Sequence, residues 1–394
     1  MRAPSTEMGP QRAGPSTGPH SASDRPTRAL IDLDALDHNF KEVMLRAGGQ
    51  RVLAVVKARA YGHGAVEVSR RLLRLGADML GVALVEEGRE LRDAGIEAPI
   101  LIMGAIFPEQ AEAVVSLKLT PVIFSLSVAH ALADAAQKRK TTIYVHVKID
   151  TGMGRIGIAP EDAPDFIAAL RKLGGLSAQG LMTHFADADL RDKQFASKQM
   201  DRFEALLKAL DAKGLGVPVR HAANSAAVLD FRRAFFTLVR PGLMFYGCNP
   251  HEKGNAGIDL RPVLSLVTRI AFIKKVPAGV SISYGRTFTT MRESIIATLP
   301  VGYADGYSRS LSNTGEALVR GLRVPVVGRV CMDMCMVDVT EVPSVREGDD
   351  VVLIGSQGGE LITAEDIAAK TGTIAYEVLC GISSRVPRIY KYSA

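Results

Sequence analysis

Residues 142–185 read TIYVHVKIDTGMGRIGIAPEDAPDFIAALRKLGGLSAQGLMTHF. An apolar run from Thr142 ends on Lys148 and Asp150, and a second run, from Leu176, ends on His184. A glycine-punctuated loop and a helix-like stretch lie between them, so the unit reads strand, helix, strand, the repeat of a parallel sheet. Gly152, Gly154 and Gly157 spell G-x-G-x-x-G, which in a dinucleotide fold opens a helix directly and is followed by a strand ending in an acidic residue. Here Pro160, suited to a helix start, comes after the glycines, and the next strand ends in Thr183 and His184. The dehydrogenase reading fails on both counts.

The same alternation extends in both directions. Strand-like runs begin at Val52 (VLAVVK), Met79 (MLGVAL), Pro99 (PILIMG), Leu119 (LTPVIFS), Thr142, Leu176, Val217 (VPVRHAAN) and Thr237 (TLVRPGLMFYG). Helical patterns such as VEVSRRLLRLG, EEGRELRDAG and DRFEALLKALDAKG separate them, several ending in the glycine typical of a helix C-terminus. Eight buried-type strands separated mostly by single helices predict an N-terminal (β/α)8 TIM-like barrel, an α/β architecture, over residues 27–261. From 262 to 394, strand-like runs punctuated by Gly, Pro and Asp (LSLVTRIAFIKKV, VSISYG, ESIIATLPVG, RVPVVGRV, DDVVLIG) predict a C-terminal β-rich domain. The short run ALIDL before the first helix pairs with either domain as far as the sequence goes.

Composition narrows the class. With 47% hydrophobic and 23% charged residues, the 394-residue chain reads as a two-domain soluble enzyme, and no apolar run approaches the roughly 20 residues of a membrane helix. The net charge of +6 is spread along the helices; its densest run, Lys138 to Lys140, falls where a helix ends and suits the helix dipole. No Trp and 6% aromatics leave little for base stacking, so no nucleic-acid partner is expected. Cys248, Cys331, Cys335 and Cys380 show neither metal spacing nor a disulfide framework. Residues 1–26, rich in Pro, Ser, Gly and Ala and without a signal-peptide core, read as a disordered tail, and the expected location is the cytoplasm.

A barrel keeps its active site at the C-terminal ends of its strands. Lys57 ends the first run, Lys148 and Asp150 the fifth and His184 the sixth; Asn224 and Ser225 end the seventh, and Arg240 interrupts the eighth. Each has a plain alternative: a rim lysine, a barrel salt bridge, a core histidine, a helix-capping serine. Their convergence on one mouth favours a site. Ser225, the Gly242 backbone and the start of SAAVLD also suit a phosphate near the last two strands.

The motifs VVKARAYGHG (55–64), KIDTGMGRIG (148–157), THFADAD (183–189), AANS (222–225), RPGLMFYG (240–247), SYG (283–285), LPVGYADGYSR (299–309) and GRVCMDM (328–334) resemble, in order, those of alanine racemases. The resemblance spans both domains. It implies a fold-type III pyridoxal-5′-phosphate enzyme that interconverts L- and D-alanine, supplying D-alanine for the cell wall, as a head-to-tail homodimer. Carried over, Lys57 resembles the lysine that holds the cofactor covalently, and Tyr284 the catalytic tyrosine donated by the partner subunit. Tyr61, Ser225, Gly242 and Tyr376 resemble phosphate-side contacts, with Asn224 beside them. Arg240 resembles the arginine facing the pyridine nitrogen, and His184 the histidine linking it to the tyrosine. Arg155 and the Met332 backbone resemble the holders of the substrate carboxylate, and Lys148 a lysine carbamylated in many relatives. Tyr303, Arg309 and Asp189 match residues lining the entrance. Two positions depart from the pattern: Arg59 stands where the family usually has Asn, and Ser384 where a Tyr is common.

The chemistry agrees with these residue types. Inverting a stereocentre by proton transfer requires an acid/base group on each face, here Lys57 and Tyr284. Free tyrosine ionises near about 10, so Tyr284 needs cationic neighbours, and His184 and Arg240 are the expected source. An arginine against the pyridine nitrogen leaves that nitrogen unprotonated and disfavours transamination and decarboxylation. A related decarboxylase would carry a carboxylate there, and a cofactor carrier would lack the second domain.

Overall fold

The computed structural model describes residues 24–251 and 257–392. Of the expected tail, residues 1–23 lie outside the described residues.

The chain enters through β1 (Arg28–Asp32), and Asp32 then caps helix α1 (Leu33–Ala47): its Oδ1 accepts from the N–H groups of Asp34 and Ala35, both at 2.9 Å. Eight parallel strands follow: β2 (Arg51–Val55), β3 (Met79–Val82), β4 (Ile100–Ile102), β5 (Thr120–Ile123), β6 (Ile143–Lys148), β7 (Leu176–Met182), β8 (Val219–His221) and β9 (Leu238–Val239). Each from β2 to β8 pairs with the next, and β9 returns to pair with β2. A single bridge from Asn224 to Arg240 joins β8 to β9 and completes the barrel. Strands β3 to β5 are buried at every position, as parallel strands sheathed by helices must be.

Two local expectations change. The run TLVRPGLMFYG contributes only Leu238–Val239 as strand, because Pro241 brings no N–H to a ladder; Leu243–Tyr246 turn into a 3-10 helix instead. The helix after the glycine loop begins at Ala163, with Pro164 rather than Pro160 in its first turn.

The second domain is built on a seven-stranded sheet and a three-stranded one. In the larger, β10 (Leu264–Arg269) runs beside Asp350–Gln357, with Glu316–Val319 and Leu322–Pro325 beyond. ALIDL resolves here: β1 pairs antiparallel with β10 and parallel with Arg388–Lys391. Its alternating burial, with Ala29 and Ile31 inside, is that of a half-covered sheet rather than a barrel strand. A partition at 27 and 262 thus assigns β1 by sequence order, whereas by pairing it belongs to the second sheet. The smaller sheet joins Phe272–Val276, Ser294–Leu299 and Cys335–Asp338, and a ribbon of Ser281–Ile282 with Phe288–Thr289 carries Tyr284 at its turn.

Candidate active site

A cavity of about 430 Å3 opens at the C-terminal mouth of the barrel, within the range of small-molecule sites. Lys57, Tyr61, Lys148, Arg155, His184, Asn224, Ser225, Arg240, Gly242 and Tyr376 all line it. Residues from five barrel strands and from the helix Ala375–Gly381 therefore meet in one space.

Lys57 leaves β2 on an unusual turn. Ala58, Arg59, Ala60 and Tyr61 all take left-handed backbone angles, with φ of 52°, 56°, 53° and 51°. Without glycine such a turn costs roughly 1–2 kcal/mol per residue, so its surroundings must impose it. Glu87 Oε1 accepts from Ala58 N at 2.6 Å, and His63 Nδ1 lies 3.1 and 2.9 Å from the carbonyls of Ala60 and Tyr61. Arg388 Nε donates to Gly62 O at 2.9 Å. Burial and the nearby Arg155 charge lower the Lys57 pKa, against an opposing pull from Glu87. The result is a cavity-lining amine shifted toward its neutral, nucleophilic form. The turn also sends the Tyr61 ring inward against Tyr246 (centroids 4.8 Å) and Tyr376 (5.8 Å). Arg59, on the same turn, is exposed and outside the cavity lining.

Arg240, also lining the cavity, is held by four contacts. Its Nη2 donates to Thr183 O (2.9 Å), Ala222 O (3.0 Å) and His184 Nδ1 (3.2 Å), and its Nη1 to His221 Nδ1 (3.1 Å). Burial lowers its pKa to about 9, which leaves it a cation at neutral pH. His184 does not fulfil the expectation of a second cation. Burial first, then the charges of Arg240, Lys148, Arg155 and Lys57, lower it well below the ordinary histidine value. Because arginine only donates, His184 Nδ1 is an acceptor, and its proton sits on Nε2. The positive charge here comes from Arg240; His184 offers a neutral N–H.

Lys148 is likewise driven well below the usual lysine range, by burial and by repulsion from Arg240 and Arg155. Asp150 holds the glycine loop rather than the cavity. Its carboxylate accepts from Gly152 N (2.9 Å) and Gly154 N (3.0 Å), and at Gly157 a Cβ would lie 2.7 Å from Asp150 N. Burial alone would raise this carboxyl, but bonds from Gly152, Gly154 and Met153 outweigh it and keep its pKa low. The three glycines form a frame that presents Arg155 to the cavity.

At the last two strands the roles sort differently from the serine-cap reading. Asn224 is the helix cap, its Oδ1 accepting from Ala227 N at 3.0 Å. Ser225 Oγ accepts from Gly242 N at 2.8 Å, so the serine hydroxyl proton is left for the cavity. A Cβ on Gly242 would lie 2.7 Å from Tyr61 Oη. Hydroxyls of Tyr61, Tyr376 and Ser225 around a bare glycine suit a phosphate. Together with a lysine whose pKa is lowered and an arginine donor, this donor set fits pyridoxal phosphate.

Tyr284 and Met332 are not in this cavity. They line a second, more open one of about 520 Å3 on the other domain, with Lys274, Ser283, Cys331 and Asp333. Tyr284 is 73% exposed. Met332 accepts from Ala304 N at 3.0 Å, and its own N–H meets no acceptor among the described residues. Tyr303, Arg309 and Asp189 are exposed at the surface. The structure also shows what the sequence reading missed: Glu87, His63, His146 and His221 support the site. For His63 and His146 the sequence signal was an isolated polar residue in a glycine-rich or apolar run; Glu87, within the charged helix VEEGRELRD, gave none.

A two-domain barrel enzyme with a buried lysine facing an anchored arginine is the class that this fold and cavity define. Residues 31–250 match the family "Alanine racemase, N-terminal domain", and residues 263–390 match "Alanine racemase, C-terminal domain". The chain belongs to the alanine racemase family. It is 49% identical to an alanine racemase of Halothermothrix orenii, covering 93% of this chain and 97% of that one. Against alanine racemase 2 of Caldanaerobacter subterraneus subsp. tengcongensis the identity is 50%, over 93% and 95%. The solved alanine racemase of Clostridium difficile 630 superposes with a TM-score of 0.90 at 39% identity, covering 94% of this chain and 96% of that chain.

Proposed function

We propose that this protein is an alanine racemase that interconverts L- and D-alanine with pyridoxal 5′-phosphate, in a homodimer whose sites draw on both subunits. The observation that carries the reading is the barrel cavity, where the depressed Lys57 amine faces the Arg240 guanidinium. The cofactor, held on Lys57, supplies the electron sink that acidifies the substrate Cα–H. Hydroxyls of Tyr61, Ser225 and Tyr376 would hold its phosphate, and Arg240 would donate to its ring nitrogen. That restrains the sink and disfavours transamination.

Lys57 moves a proton on one face of the substrate α-carbon and Tyr284 of the partner subunit on the other. The Nε2–H of His184 holds the tyrosine oxygen, with Arg240 behind it supplying charge. Arg155 and the Met332 N–H bind the substrate carboxylate. The Lys148 amine, held well below the ordinary lysine range, adds carbon dioxide with loss of one proton, and the resulting carbamate pairs with Arg155. The exposure of Tyr284 on an open, concave face supports a second subunit there. A cytoplasmic enzyme supplying D-alanine for cell-wall precursors fits this activity, and no helix among the described residues is long and apolar enough to cross a membrane.

The test is polarimetry with L-alanine and the loaded protein, backed by borohydride labelling. Rotation decaying to zero without evolution of carbon dioxide and a reduced label on Lys57 are expected; a lasting rotation, a decay accompanied by carbon dioxide (decarboxylation to achiral ethylamine), or a label on another lysine overturns the reading.

A further inference from the structure

Behind Arg240 the barrel interior holds two more histidines that the reaction scheme does not use. His221, at the end of β8, accepts from Arg240 at Nδ1 (3.1 Å), and its Nε2 lies 2.8 Å from His146 Nδ1. Both rings are completely buried. The structure makes special room for the second one. The β6–β7 register shifts between Val145 and His146, and Gly180 faces the ring so closely that a Cβ there would lie 2.5 Å from its Cγ and Nδ1. His146 Nε2 is buried beside the Gln179 side chain without a hydrogen bond of acceptable geometry. A bulge, a glycine and an unsatisfied N–H are a costly way to fill a barrel with imidazole where an aliphatic residue would pack.

The proton positions follow from one fixed end. A guanidinium has five donors and no acceptor. Nδ1 of His221 therefore accepts, its proton lies on Nε2, and that N–H donates to His146 Nδ1; His146 in turn carries its proton on Nε2. Only this arrangement of two neutral rings satisfies both contacts. Burial favours neutral rings throughout: it lowers His146 to about 4 and His221 well below its ordinary value. Of the Arg240 N–H groups, Nε–H and one on Nη1 then have no acceptor among the described residues, on a side chain that lines the cavity.

We propose that His146 is a positioning residue for the reaction: by accepting from His221 it stabilises the tautomer that the Arg240 contact requires, so that Arg240 stays seated with a free N–H for the cofactor. Without that acceptor, the Nε2–H of His221 is buried and unpaired, which favours moving the proton to Nδ1, where it opposes an arginine N–H head-on and pushes the guanidinium off its seat. The ring nitrogen then loses a donor, and control over the side reaction weakens.

The proposal rests on the reading that Arg240 faces the cofactor ring, and its test separates the two. Nitrogen-15 NMR of labelled histidine, recorded before cofactor is added, reads the His221 tautomer directly. The wild type is expected to show Nε2–H. His146→Leu, or His146→Ala if leucine does not fit beside Gly180, is expected to shift His221 toward Nδ1–H. In the loaded enzyme the same variants lose kcat by about tenfold, raise the fraction of transamination and shift the cofactor absorbance. His146→Asn, whose Oδ1 replaces the Nδ1 acceptor, restores tautomer, partition and spectrum. An unchanged His221 tautomer in the leucine and alanine variants overturns the proposal, as does an asparagine variant that folds but behaves like leucine. A tautomer shift with unchanged partition and spectrum leaves the relay standing and instead removes Arg240 from the cofactor ring.

Discussion

The barrel mouth and the Tyr284 face of the second domain are built on opposite terms. At the mouth, Lys57, Lys148, His184 and Arg240 all have pKa values lowered chiefly by burial, and Arg240 is bonded to His184 and His221. On the other face Tyr284, Met332 and Met334 are each at least half exposed around an open hollow. One region is an enclosed pocket that Tyr284 does not line. The other offers Tyr284 with nothing to act on. In the proposed homodimer the two are halves of one site shared across a two-fold interface, which would carry two such sites.

The sharpest way to break this comparison is to disable one half in each of two variants. Lys57→Ala and Tyr284→Phe homodimers are each expected to lose about a thousandfold or more in activity, since each lacks one acid/base group at every site. Unfolded together and refolded as a mixture, they should recover about a quarter of wild-type activity, because half the dimers are mixed and one site in each regains both residues. A dead mixture in which mass spectrometry finds mixed dimers would sink the shared-site model.

A smaller effect is expected from Arg240→Glu. A carboxylate at that position protonates the ring nitrogen, so racemisation should slow by about tenfold to a hundredfold while transamination rises. Pyruvate measured against D-alanine formed gives the partition. An unchanged ratio would mean that the enclosed pocket does not control the ring.

The barrel was legible because buried parallel strands leave continuous apolar runs, and reactive residues ended those runs at Lys57, Lys148 and His184. What stayed hidden depended on three-dimensional context. ALIDL alternates like any half-buried strand, and only pairing with β10 and Arg388–Lys391 gives it to the second domain. The left-handed turn after Lys57 carries no glycine before Gly62; it is imposed by Glu87, His63 and Arg388, of which Glu87 and Arg388 are remote in sequence. The neutrality of His184 likewise comes from burial and from Arg240, 56 positions away along the chain.

Acid sharpens the contrast between the domains. His63, His146, His184 and His221 all belong to the barrel and are all shifted down by burial, His63 and His146 to about 4, whereas residues 262–394 contain no histidine. A depressed histidine binds its proton more readily in the unfolded chain. Its contribution is therefore full above about pH 6.5 and is lost as pH falls toward the folded value. Each adds at most about 1.4 kcal/mol per pH unit, so four together steepen the loss by up to about 5 kcal/mol per unit near pH 5. Thermal unfolding from pH 7.5 to 4.5 should show this slope, and His146→Asn should reduce it by about one proton. A flat profile would contradict neutral burial of these rings.

The smallest effect tests packing alone. Gly180→Ala adds one methyl 2.5 Å from the His146 ring, at a position with no backbone requirement for glycine. The ring cannot retreat freely, because it is fully buried and bound to His221. Overpacking of this kind costs about 1–3 kcal/mol. Gly381→Ala supplies the control on the other domain: a Cβ there meets nothing within 4 Å, and the change should lie within about 0.5 kcal/mol. If the loss at position 180 comes from the imidazole, adding His146→Ala must relieve it, and the double variant should be more stable than the sum of the single changes. Denaturant unfolding of all four variants decides the matter. Additive losses would mean that Gly180 is needed for the strand bulge itself and not for the ring it faces.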